Sequence, residues 1–565
     1  MLRSKQEKHL AKLLAIGLFL TSVFISTEGL SDPVNVPKLL ILGVFSFAAL
    51  GLLLSSRIKF RFNLSIAASF LFLIFSALSV ILSSSPLTQN LYGAYGRNNG
   101  FFAYLFLSIV FIATSHLQSR ISSALILKSL MYVGYVNLAY CLWVIVFGDF
   151  IPWNNPYGNI LGTFGNPNFI GAFLGIFFGV QLAWGLGTES SRNFKLTLVL
   201  LLPITLFEIV DSQAIQGRVL AALSAAIVIF FYLRSKFGRY ILLTYSIVVV
   251  FVGGLALAGA FQKGPLVEFI YKTSVSLRGQ YWLAAWNTGE ANPISGVGMD
   301  AFGDWYRRAR DIRAIELPGI NTVVNTAHNV PLDMFAFGGW PLFISYLLIM
   351  AISLISLVRI ATRMKGFDAV GVGLITAWTC YQTQSIISIN QIGLAIWGWA
   401  LSGCLIGYDK YLRNLDRNDV LKTESPSSAK KTVKTEGVDA KTTLYVAAFG
   451  LAGFIIALPP LAADVSFRSA QTSRDAAKVE ATMDSSYFNP LNSQKLALNI
   501  QAFEGSGLFE LSHKYALEAV DWNPEAYELW RLLFLIKNST QDEKALAVTN
   551  MKRLDPLNPD VTATQ

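Results

Sequence analysis

Arg97, Arg218, Arg278 and His328 are the side chains of this 565-residue sequence best placed to do chemistry. Each lies in a short polar stretch next to an apolar run: "GAYGRNNGFFAY" carries Arg97, "DSQAIQGRVLAAL" Arg218, "SLRGQYWLAAW" Arg278 and "NTAHNVPLDMFAFGGWP" His328. An arginine cannot shed its charge, and near a bilayer centre it costs about 2.5 to 3.5 kcal/mol. Arginines gathered at helix mouths, beside free backbone N–H donors, form a receptor for phosphate through forked hydrogen bonds. The histidine adds a proton acceptor, because the positive end of a helix dipole favours the neutral imidazole. Protonated, the same ring would bind an anion, and the sequence leaves both roles open.

Neighbouring residues fit this picture. In "GTFGNPNFIGAFL" Asn166 is a good N-cap before Pro167, with Asn168 behind it. Asn329 or Val330 caps the helix after His328, and Asp333 complements its dipole. Arg278, Trp282 and Trp286 recur at i, i+4 and i+8, which sets a cation beside aromatic faces that also suit sugar rings. Arg97, Asn166, Asn168, Tyr281, Trp282 and Asn329 are therefore candidate substrate contacts, and Glu208 and Asp211 lie where they could orient Arg218. His9, His116 and His513 read as ordinary surface, and Cys141, Cys380 and Cys404 as packing within spans. No zinc-ligand spacing and no phosphate-binding glycine loop of the Walker type occurs, so neither metal nor nucleotide cofactor is expected.

The elements that must carry these residues are apolar. Hydrophobic residues make up 53% of the chain and charged ones 14%, against about 25% charged in soluble domains. The apolar runs are long enough, at roughly 17 to 25 residues, to cross a bilayer as helices. The expected fold is an all-α polytopic membrane bundle of about thirteen spans, near 10–27, 37–55, 64–84, 101–117, 123–148, 167–187, 195–210, 218–233, 240–262, 330–358, 369–388, 391–408 and 443–464. The first follows Arg3, Lys5 and Lys8 but ends in no cleavage pattern, and reads as retained.

Lys and Arg in the short loops orient the bundle. One side holds Arg57, Lys59, Arg61, Arg120, Arg192, Lys195, Arg234, Lys236, Arg239, Arg359, Arg363 and Lys365; the other holds Glu28, Asp32, Lys38, Arg97, Asp149, Asp211 and Arg218. The N-terminus is expected in the cytoplasm of a cell whose cytoplasmic membrane the chain crosses, with the C-terminal part outside. The net charge of +10 follows from this bias and does not indicate nucleic acid. Residues 1–408 read as a membrane domain with a long external loop at 263–329, a length that is uncommon without a function. Residues 409–442 read as a disordered cytoplasmic linker, 443–464 as one more span, and 465–565 as an external helical domain with tetratricopeptide-like pairs.

Taken together, "GTFGNPNFIGAFL", the "QGR" at a span start, "SLRGQYWLAAW", "NPISGVGMDAF" and "NTAHNVPLDMFAFGGWP" resemble the bacterial O-antigen ligase superfamily, which includes O-antigen polymerases and O-linked protein oligosaccharyltransferases. The resemblance spans roughly residues 90 to 408. It implies a metal-independent inverting glycosyltransferase that moves a glycan from an undecaprenyl diphosphate carrier to a glycan, lipid or protein acceptor on the outer membrane face. It also implies that His328 is the family's essential histidine, Arg278 its large-loop arginine and Arg218 its span-start arginine. In the last, "QGR" stands where many relatives have a serine-arginine pair. Membrane lipids, and a protein partner held by the tail, are further expected contacts. The rival readings are a repeat-unit polymerase, a lipid-linked glycan flippase or transporter, and a docking protein for which the spans are only an anchor.

Overall fold

The computed structural model describes residues 4–55, 63–424, 440–473 and 475–562, and it is all-α. Thirteen long helices are labelled α1 (Ser4–Val23), α2 (Asn35–Ser55), α3 (Leu64–Leu82), α4 (Phe101–Thr114), α5 (Arg120–Phe147), α6 (Pro167–Leu186) and α7 (Arg192–Asp211), then α8 (Ile215–Lys236), α9 (Arg239–Ala260), α10 (Val330–Arg363), α11 (Ala369–Ser385), α12 (Ile392–Glu424) and α13 (Ala440–Ser473). Each expected span falls on one of them. Ten are long and apolar enough to cross a bilayer among the described residues; α1, α4 and α11 are not, α4 having 14 residues and α11 17.

Side-chain caps fix where many of these helices begin. Asn63, Ser119, Asn166, Ser191, Asn329 and Asp368 each accept a backbone N–H of the first turn they precede, which satisfies donors that have no partner within the helix.

Two features set the geometry of the end at which Arg97 and His328 lie. The first is a break in α10. Gly338 and Gly339 leave helical geometry, Gly339 with φ of 63°, so carbonyls of the preceding turn lose their intrahelical partners. The "NPISGVG" segment closes the gap: Val297 N donates to Ala336 O at 3.0 Å, Gly298 N to Phe337 O at 3.0 Å, and Trp340 N to Pro293 O at 2.8 Å. Ser79 Oγ adds a bond to Phe337 O at 2.6 Å. Irregular backbone at membrane depth is tolerated only with such internal partners. The break leaves a short helical stub, 330–337, whose N-terminus faces the cavity described below.

The second feature is a buried polar hub under residues 162–168. Lys38, counted among external loop charges on sequence alone, lies fully buried in α2. Its Nζ donates to Ser22 O at 2.5 Å and Thr163 O at 2.8 Å. Asn137 Oδ1 accepts from Thr163 N at 2.8 Å, and Trp397 Nε1 donates to Ser22 Oγ at 2.8 Å. The hub ties α1, α2, α5 and α12 to the turn that delivers Asn166.

Past α13 the chain forms a second apolar core, built by helices Ser493–Gly505, Phe509–Trp522, Tyr527–Leu535 and Gln541–Leu554. This domain is docked by charge onto the loop helix Phe302–Ala309 and the residues just after it. Arg307 Nη1 and Arg310 Nη2 meet the two oxygens of Asp555 at 2.9 and 2.7 Å, with all three side chains at most 7% exposed. Arg308 pairs with Glu525 at 2.5 Å. Lys495 pairs with Asp464 of α13 at 3.0 Å, and Asp464 Oδ2 accepts the backbone N–H of Ser31 and Asp32 at 2.7 and 2.9 Å. The loop arginines 307, 308 and 310 thus hold the tail.

The linker expected over 409–442 is partly helical: α12 continues to Glu424, and α13 begins at Ala440. Asp409 explains the start of that continuation, since it is buried and paired with Arg363, Arg413 and Arg359. Residues 425–439, together with Arg57, Lys59 and Arg61, lie outside the described residues.

Candidate active site

A cavity of about 1060 Å³ opens at one end of the bundle, where the loops after α1, α3, α5 and α11 meet the loop helix Thr273–Ala291, the residues before α10, and α13 with the tail. Arg97, Asn166, Asn168, Arg278, Tyr281 and His328 all line it. The sequence separates the first and last of these by more than two hundred positions; the fold brings them to one chamber.

His328 has φ of 53°, a left-handed conformation that costs a non-glycine residue energy and is held by its surroundings. Those surroundings are well bonded. Thr326 Oγ1 accepts from His328 N at 3.3 Å, Asp333 Oδ1 accepts from Ala327 N at 2.7 Å, and Asn329 Oδ1 caps the helix at Leu332 N, 3.0 Å away. The imidazole lies 5.6 Å from the Tyr281 ring, tilted by 34°. Burial first, then the charges of Arg97 and Arg278, push its pKa down to about 3. His328 is therefore neutral in the free protein at physiological pH, the form that accepts a proton.

The two arginines that act on His328 are held differently. Arg278 sits half-buried on the loop helix, next to Tyr281. Arg97 sits in a turn that Asp300 closes: Asp300 Oδ2 accepts from Ala94 N at 2.8 Å and from Asn99 N at 3.2 Å. Burial raises the Asp300 carboxyl to about 7, and the nearby Arg97 opposes that rise. Asp300 is a positioning residue that no local pattern in the sequence singles out. It follows the "NPISGVG" clasp directly, so the α10 break and the Arg97 turn are fixed by one segment.

Three of the sequence candidates lie outside the lining. Asn329 is spent on capping. Trp282 packs against the membrane core, its Nε1 without a hydrogen-bond partner. Arg218 stands at the start of α8, where the "QGR" stretch serves packing: Gly217 meets the backbone of Gly171 on α6 so closely that a Cβ would lie 2.7 Å from Gly171 O, and Gln216 Nε2 donates to Asn168 O. Residues the sequence did not single out complete the chamber. Tyr95, Trp153 and Tyr157 supply aromatic faces, while Gln391, Arg468 and Gln494 supply polar groups. Asn166 Nδ2 donates to Tyr157 OH at 3.2 Å, so the cap residue also fixes the aromatic wall. Arg468 and Gln494 come from α13 and the first tail helix, more than a hundred positions from the other lining residues except those near 390, and no local pattern marks them.

An all-helical bundle with at least ten membrane-length helices and a cationic, aromatic-walled chamber at one end defines a multi-pass membrane protein. Residues 196–347, from α7 through the loop helix to the middle of α10, match the family model described as O-antigen ligase, which supports the resemblance to the O-antigen ligase/polymerase superfamily. The match includes Arg218, Arg278 and His328 and is narrower than the resemblance drawn from the sequence over 90–408. No curated protein matches the chain.

Proposed function

We propose that this protein is an inverting glycosyltransferase that moves a glycan from an undecaprenyl diphosphate carrier to an acceptor hydroxyl at the outer face of the cytoplasmic membrane. The observation that supports it best is the meeting of Arg97, Arg278 and a neutral His328 in one cavity walled by Tyr95, Trp153, Tyr157 and Tyr281. The aromatic faces suit sugar rings, and the arginines suit the diphosphate. As the acceptor oxygen bonds to the anomeric carbon, the bond from that carbon to the phosphate oxygen breaks and leaves on the opposite side. His328 takes the hydroxyl proton, and Arg97 and Arg278 meet the charge that gathers on the departing diphosphate. Arg218, outside the cavity lining, takes no part in this assignment.

Membranes lacking the protein carry the test. Mass spectrometry of the carrier lipid should show full-length glycan stranded on undecaprenyl diphosphate. Single repeats attached to acceptor would instead identify a polymerase, and intact donor emerging from sealed vesicles in the protein's presence would identify a transporter.

A pH profile checks the base. Activity needs neutral imidazole, so it is lost only as pH falls through the folded pKa, about 3 here. kcat/KM, which reports the free enzyme, should therefore show no His328 limb between pH 8 and 5. An acid limb near 6.5 belonging to His328 would contradict the burial-depressed pKa, and activity that rises on protonation of His328 would contradict its role as base.

A further inference from the structure

A second pocket, of about 670 Å³, lies at the other end of the bundle, where α5 begins, α6 ends and α11 begins. It is lined by Arg120, Lys128, Trp184, Glu189 and Asp368 together with Tyr132 and Tyr135. The same two tyrosines line an apolar groove of about 800 Å³ between α1 and α5, so pocket and groove are continuous. Along α5 the groove runs from Leu125 to Ala139, about 21 Å at 1.5 Å per residue, enough to match one leaflet of a hydrocarbon core roughly 30 Å thick.

The charges choose the occupant. Arg120 is already paired, with Glu189 at 2.6 Å and Asp368 at 3.0 Å, so both carboxylates are committed and none is left for a cationic headgroup. Lys128 is exposed and rests 5.7 Å over the Trp184 ring, and Lys12 lines the groove. Trp184 Nε1 is itself buried, 3.8 Å from where a Cβ on Gly373 would stand, so what the indole offers Lys128 is its ring face. Ser190 and Ser129 offer a ligand no hydroxyl hydrogen, since they donate to Trp184 O and Ala15 O, each at 2.6 Å.

We propose that this pocket and groove hold one anionic diacyl phospholipid, its phosphate against Lys128 and its chains between α1 and α5. The lipid belongs to the leaflet opposite the candidate active site, and its binding is independent of the glycan-transfer reading. It would seat the first helix, which contacts α5 along this groove, by filling the gap between them.

Native mass spectrometry of the full-length protein, titrated with phosphatidylglycerol or phosphatidylcholine of the same chains, tests it. One phosphatidylglycerol should be retained with roughly fivefold preference, the equivalent of about 1 kcal/mol for one lysine at a lipid surface. Lys128→Gln should abolish the preference, Trp184→Leu should weaken it by removing the ring under Lys128, and Ala139→Trp, at an exposed groove position, should lower retention of both lipids. Size-exclusion profiles identify any variant that fails to fold, and the other two then carry the test. Equal retention of the two lipids by the wild-type protein, or an unchanged preference in folded Lys128→Gln, would overturn the proposal.

Discussion

With His328 replaced by alanine, glycan transfer in membranes is expected to fall by roughly 10² to 10⁴-fold, the usual contribution of a placed general base, while insertion and abundance stay as in the wild type. The turn that carries the imidazole is held by Thr326, Asn329 and Asp333 through backbone N–H groups, and the ring itself packs only on Tyr281 among the described aromatic side chains. The left-handed backbone at 328 persists in the variant at similar strain, so a change in stability is not the expected cause. Glutamine at 328 keeps a polar group but not a base, and should restore little. Transfer at the wild-type rate in a well-inserted alanine variant would remove His328 from the chemistry.

The second large effect concerns the tail. Asp555→Ala leaves Arg307 and Arg310 without a carboxylate in a site where the three side chains are at most 7% exposed. Removing one partner of a buried pair costs about 3 to 5 kcal/mol, because the remaining charge is desolvated and uncompensated. Both arginines keep a bond to Ile320 O, at 3.1 and 2.9 Å, which does not neutralise them. The tail domain should therefore detach from the loop helix, and amide exchange across 475–562 should rise. Since Gln494 lines the cavity, transfer should fall with it. On sequence alone the membrane part could be expected to work without residues 465–565; the docking contacts argue that it does not. Unchanged exchange and activity in Asp555→Ala would show that the docked arrangement carries no weight.

The bundle was legible because a helix that crosses lipid must be apolar throughout and must end at caps that satisfy its own N–H groups. Asn166 and Asn329 could be read as caps from their neighbours alone. His328, Arg278 and Arg97 could be read as a group because each breaks an apolar pattern at the same end. What could not be read depends on contacts distant in sequence. The meaning of "NPISGVG" lies in carbonyls of α10 that it bonds some forty residues later, and Asp300 gains its role only where it closes the turn around Arg97. Lys38 resembled a loop cation because nothing near it in sequence announces the carbonyls of Ser22 and Thr163. Arg218 is conspicuous as a span-start arginine, whereas the close packing of Gly217 on Gly171 beside it depends on a contact distant in sequence.

The most direct measurement is the affinity of the purified protein for a short-chain polyprenyl diphosphate. Arg97→Ala and Arg278→Ala should each weaken binding by at least tenfold, as expected for loss of a charge-assisted hydrogen bond of about 1.5 to 3 kcal/mol, and Arg218→Ala should leave it unchanged. Wild-type affinity in both the Arg97 and Arg278 variants, or a loss confined to Arg218, would contradict a diphosphate site in this cavity.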